Sequence, residues 1–204
     1  MTESSPSPAA EIQAVLRDRF SPYAFSSEPV ADADLRALFE SARWAASSYN
    51  EQPWRYVVAR RADGAAWEGV LACLVEANQA WAKAAPVLAL GIVSTRFDRN
   101  DKPNAAAEHD LGAASAQLTA EATRRGLVVH QMIGIDPERA ARTFSLPDGY
   151  RALTALAIGR VAAPEDPIDA GLRERDARPR ERRTLAGTVF TGGWAEPAPW
   201  LEPG

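Results

Sequence analysis

Between Trp44 and Trp54 the chain passes from one kind of regular structure to another with almost no connecting length. Leu35, Leu38, Phe39 and Ala42 recur at helical spacing, and that pattern stops at Trp44. Arg55-Tyr56-Val57-Val58-Ala59, rich in β-branched and aromatic residues, reads as a strand that starts immediately afterwards. The junction, Ala45-Ala46-Ser47-Ser48-Tyr49-Asn50-Glu51-Gln52-Pro53, carries hydroxyl and amide side chains between two indoles. Pro53 predicts an extended Gln52, because its ring crowds the residue before it. Donors and acceptors beside flat apolar faces suit a planar heterocycle with polar edges. Equally, such a loop satisfies its own backbone through its Ser and Asn side chains.

The pattern predicts helices over residues 9–19, 32–46, 65–76, 78–84, 104–125 and 137–144, with Asp32, Asn104 and Asp136 as N-caps. Strands are expected at 55–60, 87–93, 127–132 and 153–161. Val87 to Val93 is continuously apolar, as in a strand covered on both faces. The helix from Asn104 is mostly alanine, with Gly112 and Ser115, which allows close backbone approach and predicts a central position. Residues 1–8 read as a disordered lead-in. From Pro164 the chain turns to prolines, charges and a Trp/Pro/Gly tail, an arm rather than a second core. The run from Arg173 to Arg183 reads as a solvated cationic face.

The 204 residues carry a net charge of -4, which argues against nucleic acid as partner. The lone Cys73 cannot form an internal disulfide, and two histidines are too few for a Cys/His metal site. With neither a signal peptide nor a membrane-length apolar run, a cytoplasmic location is expected. Motifs of dinucleotide-binding, P-loop, serine-hydrolase and zinc-protease sites are missing, so difficult chemistry would fall to a cofactor. Arg19 and Ser21, two apart in an extended segment, point the same way and offer a phosphate a fork of donors and a hydroxyl. Gln131-Met132-Ile133-Gly134 runs from a strand into a glycine that lets a ligand approach the backbone.

Taken in order, Arg19-x-Ser21, Ser47-Ser48-Tyr49-Asn50-Glu51-Gln52-Pro53-Trp54, Gly126-Leu127, Met132-Ile133-Gly134, Leu146-Pro147-Asp148-Gly149, Ala155 to Gly159 and Arg182-Arg183-Thr184-Leu185 resemble the FMN-dependent nitroreductase family. The resemblance spans Arg19 to Leu185 and implies an α+β sandwich: a central, mainly antiparallel sheet flanked by helices, in an intertwined homodimer. By the same resemblance, residues 9–163 form the FMN-binding domain and residues 164–204 an arm around the partner subunit. Arg19, Ser21, Arg182 and Arg183 would bind the FMN phosphate. Ser47, Ser48 and Asn50 would reach the flavin from the other subunit. Asn78, with Gln79, would meet the pyrimidine edge. Ile133 and Gly134 would lie over the central ring, with a backbone N–H toward N5, and no side chain would be catalytic. The implied activity is reduction of nitroaromatic, quinone-like or other conjugated acceptors by NAD(P)H in a ping-pong cycle. Tyr23 stands where many relatives carry a basic residue, which keeps open a flavin carrier or sensor. An FMN-dependent dehydrogenase of specialised metabolism is a further alternative.

Overall fold

The computed structural model describes residues 10–201, so the expected disordered lead-in lies outside the described residues. Its elements, in chain order, are α1 (Ala14–Asp18), α2 (Asp32–Arg43), β1 (Trp54–Arg60), α3 (Ala65–Ala72), α4 (Glu76–Ala82), β2 (Val87–Ser94), α5 (Ala107–Arg124), β3 (Val128–Met132), α6 (Pro137–Thr143), β4 (Tyr150–Gly159) and α7 (Ala170–Asp176). The four strands form one antiparallel sheet in the order β1-β2-β4-β3.

Side-chain alternation along β2 and β4 builds a core on each face of this sheet. Val87, Ala89 and Val93 of β2 and Leu156 and Ile158 of β4 meet Leu111, Ala114 and Leu118 of α5 and Leu38 of α2. Leu88, Leu90 and Ile92, with Ala155 and Ala157, turn the other way, onto Trp67 and Val70 of α3, Trp81 of α4 and Ala140 of α6. This is the expected α+β sandwich, and β2 is buried along its whole length. At Gly91, where the β2–β4 register shifts, an added Cβ would stand 2.6 Å from Thr154 Cγ2 and 3.3 Å from Leu111 Cδ1. Glycine therefore lets α5 lie close against the sheet.

Several boundaries differ from the sequence expectation. The predicted 65–76 helix stops at Ala72 because Leu74 forms a bridge with Ile135, Val75 N–H donates to Gly134 O and Asp136 N–H donates to Cys73 O. Asp32 is the first residue of α2 rather than its cap, and its carboxylate takes Arg60 at 2.9 Å. Asn104 Oδ1 accepts the Ala106 N–H, opening a turn before α5 begins. Gln52 has φ 51°, not an extended value. Ser47 Oγ holds its N–H at 3.0 Å, and a 3-10 turn over Ser48–Asn50 winds the chain back toward it. The cationic run after Arg173 is partly helical, since Asp169 caps α7 by accepting the Gly171 N–H at 2.9 Å.

The first part of the arm lies along its own chain. Asp176 accepts the N–H groups of Tyr23 and Ala24 at 2.7 and 2.9 Å, and Arg175 stacks 3.7 Å from the Tyr23 ring centre. Arg180 donates to Arg19 O at 2.6 Å. Beyond that point Leu185, Trp194 and Trp200 are exposed.

Candidate functional site

Two cavities run along α5 and β3 and meet at Gln131. Gln131 donates from Nε2 to Ser115 O at 3.2 Å and to Thr119 Oγ1 at 3.0 Å, so it bridges strand to helix where the cavities join. The smaller, about 360 Å3, has Arg19, Ser21 and Thr119 in its wall. The larger, about 550 Å3, is lined by His109, Gly112, Ser115, Met132 and Ile133. Both volumes fall in the range of about 300–1,000 Å3 usual for ligand sites.

The smaller cavity is the cationic end. Arg19 Nη1 donates to Ser21 Oγ at 3.1 Å, so the two predicted residues do act as one unit. Burial, then the neighbouring charges of Arg182 and Arg180, pushes the Arg19 guanidinium below the usual arginine value. Arg19 has no ion pair among the described residues. Guanidinium groups crowded in this way favour an anion between them. Arg182 and Arg180 are the charges that act on Arg19, and Arg183 does not figure among them. Arg180 was hidden in a charged run, and only the turn after α7 brings it back to Arg19.

Ile133 marks the other end, 81% exposed although it directly follows a strand. Gly134 O accepts both the Val75 N–H and Asn78 Nδ2, each at 3.0 Å. A Cβ on Gly134 would stand 2.5 Å from that amide nitrogen and 2.9 Å from Val75 Cγ2. The glycine is therefore demanded by α4 packing, whatever else approaches it. The Gly134 N–H has no backbone acceptor among the described residues. Asn78 buttresses the Ile133–Gly134 turn, while Gln79 donates to Leu74 O at 2.7 Å and holds the start of α4.

Ser47, Ser48 and Asn50 line neither cavity of their own chain. The Ser48 N–H donates to Asp110 Oδ2 at 3.0 Å, which fastens the junction loop to the first turn of α5. Tyr49 and Asn50 have φ of 54° and 57°, left-handed values that asparagine tolerates and tyrosine rarely adopts. Tyr49 meets Phe97 edge-on at 5.9 Å, and the Arg99 guanidinium sits 3.9 Å from its ring centre. Trp54 and Trp81 are core residues, 7% and 3% exposed.

Behind the cationic end, His130 packs against Tyr23 and Trp81 with ring centres 4.8 and 4.4 Å apart. Its Nδ1 lies 2.8 Å from Pro22 O, and burial pushes the imidazole below its ordinary value. Cys73 is buried, its thiol pushed upward by burial, and so is no nucleophile. Among the described residues no cluster could hold a metal ion, and no helix is long and apolar enough to cross a membrane. The arrangement suits a planar ligand that is anionic at one end, with chemistry not supplied by a protein nucleophile.

Comparison with known proteins agrees with that geometry. The sequence model of the nitroreductase family matches residues 16–160. An uncharacterised 15.4 kDa protein of Mycolicibacterium smegmatis is 42% identical over 127 residues, which cover 62% of this chain and 84% of the relative. A Xanthomonas oryzae pv. oryzae protein assigned as an NADH dehydrogenase/NAD(P)H nitroreductase is 31% identical, covering 79% of this chain and 74% of its own. The crystal structure of an oxidoreductase containing FMN superposes with a TM-score of 0.86 at 32% identity, over 96% of this chain and 100% of that one. A match of the family model over residues 16–160, most of the chain, places this protein in the nitroreductase family.

Proposed function

We propose that the groove holds FMN, with the phosphate at Arg19, Ser21 and Arg182 and the ring system toward Ile133, and that the chain is an NAD(P)H-dependent FMN oxidoreductase. The observation that carries this reading is the meeting of a cationic end and an open apolar end at Gln131. The donor set fits: a guanidinium and a hydroxyl for the phosphate, and an unengaged Gly134 N–H for the polar ring atoms. The surface of α5 fits as well, since nothing lies within 4 Å of a Cβ built on Gly112. When bound, FMN supplies two-electron redox chemistry between NAD(P)H and an organic acceptor.

Each residue then has a defined task. Arg19 and Ser21 neutralise and orient the phosphate. Gln131 keeps α5 and β3 at a fixed separation, and Asn78 holds the turn that carries the Gly134 N–H. Donors of this kind favour negative charge on a reduced ring. Reductant and acceptor share one pocket, which implies alternating, ping-pong use. Nitroaromatic, quinone-like or other conjugated acceptors match a cavity with Met132, Ile133 and Leu153 in its wall.

The same reading makes the protein a homodimer. Ser47, Ser48 and Asn50 line neither cavity of their own chain and would complete the groove of a second copy, and the exposed Trp194 and Trp200 would lie on that copy. The test is FMN retention by Arg19→Ala. Loss of a charge-assisted contact worth about 1.5–3 kcal/mol should weaken FMN binding roughly 10- to 100-fold. Unchanged affinity by equilibrium dialysis would remove Arg19 from the phosphate site.

A further inference from the structure

We propose that His109, oriented by the buried carboxylate of Asp110, donates the proton to the acceptor reduced in the larger cavity. This assignment rests on the oxidoreductase reading above and adds to it a side chain that handles a proton. His109 and Ile133 line the same cavity. His109 Nδ1 lies 3.1 Å from Asp110 Oδ1. Asp110 is only 2% exposed, and its other oxygen is held by the Ser48 N–H at 3.0 Å, so the carboxylate is fixed from two sides. A carboxylate of this kind accepts and does not donate, so the nitrogen facing it carries the hydrogen. That leaves Nε2 as the ring atom with no hydrogen-bond partner among the described residues. The imidazole side chain is 85% exposed in the single chain.

The other polar groups of this cavity are already committed. Glu108, the only other titratable side chain in its wall, is paired with Arg151. The Ser115 hydroxyl shares a hydrogen bond with Tyr56 at 2.9 Å, and Thr154 donates to Met132 O at 2.8 Å. Histidine is also the side chain most often used to move protons at a reaction centre. A buried acceptor fixing one imidazole nitrogen and leaving the other to the substrate is a recurrent arrangement for this purpose.

The step balances for a quinone-like acceptor. Hydride originating from NAD(P)H brings two electrons and one hydrogen, and one oxygen of the acceptor is left anionic. The Nε2–H bond of the His109 imidazolium breaks, an O–H bond forms on that oxygen, and the N–H electron pair stays on the ring, which is left as the neutral imidazole with its hydrogen on Nδ1. Water then returns a proton to Nε2. The sum is quinone, NAD(P)H and one proton giving hydroquinone and NAD(P)+.

The test compares three rates in FMN-loaded wild type and His109→Gln under anaerobic conditions: reduction by NAD(P)H, reoxidation by benzoquinone, and reoxidation by ferricyanide, which takes electrons without a proton. For the variant, benzoquinone reoxidation should fall by about 10²-fold or more, well beyond any change in the other two rates. In FMN-free protein, 15N spectra should place the proton of the neutral His109 ring on Nδ1, and Asp110→Asn should abolish that preference. Unchanged benzoquinone reoxidation, an equal fall in all three rates, or a proton on Nε2 in the wild type would overturn the assignment. If neither NADH nor NADPH reduces the wild-type flavin, the oxidoreductase reading fails first and takes this step with it.

Discussion

At the scale of single residues, the groove is maintained by atoms that do not themselves touch a ligand. Gly134 is the sharpest case, because its missing Cβ is what lets Asn78 and Val75 close on the turn. Gly134→Ala should cost about 1–3 kcal/mol through overpacking and should loosen FMN retention as the turn shifts. A urea midpoint and an FMN affinity both equal to wild type would show that α4 gives way freely. His130 gives a second prediction, one with a sign. Its folded-state imidazole titrates below the ordinary value of 6.5 because burial disfavours the cation, while the unfolded chain binds a proton near that value. Between the two, the unfolded state holds more protons, so the stability His130 contributes is present above about pH 6.5 and is lost as the pH falls through and below it. Asp176, Arg175 and Arg19 also act on this ring, the carboxylate opposing the shift and the two cations adding to it. Urea midpoints measured between about pH 7.5 and pH 5 should fall less steeply for His130→Gln than for wild type. Identical acid slopes would mean that His130 does not titrate in this way.

At the scale of elements, α7 ties the arm to the phosphate segment. Asp176 accepts two backbone N–H groups just after Ser21, so Asp176→Ala should cost about 2–3 kcal/mol and weaken FMN retention without touching the ligand. Unaltered affinity would show that Arg19 and Ser21 are positioned independently of α7. At α6, Asp136 Oδ1 accepts the Arg139 N–H at 2.8 Å, and Asp136→Ala should cost about 1 kcal/mol as a lost N-cap, read as a lower urea midpoint. That cap was legible in the sequence because Asp136-Pro137 encodes it locally, as was β2, whose unbroken apolar run admits no exposed face. The end of α3 was not legible, because what stops it is a bridge to Ile135, far along the chain. The same holds for Gln52, whose left-handed backbone depends on Ser47 and overrides the expectation set by Pro53. Local chemistry was readable from sequence, and contacts between distant segments were not.

At the scale of the whole molecule, the groove of one chain is built from α5, β3 and the segment at Arg19, while Ser47, Ser48 and Asn50 lie outside its lining. The order of short motifs singled out Arg19, Ser21 and Ile133, which line the two cavities that share Gln131. The roles of Asn78 as a buttress and of Arg180 as a neighbour of Arg19 arise only from tertiary contacts. A homodimer reconciles the two halves of the proposed site, so sedimentation should give twice the 22.0 kDa chain mass. Sedimentation as a 22.0 kDa particle at assay concentration would leave Ser47, Ser48 and Asn50 without a role in the site. In the proposed cycle, bound FMN, reduced by a nicotinamide, carries the electrons. Its most direct test is an anaerobic titration of FMN-reconstituted protein with NADH and then NADPH, followed by flavin absorbance. Bleaching by at least one of them, reversed by an added quinone, is the predicted result. Protein that takes up no FMN, or that keeps its colour with both nucleotides, would contradict the account.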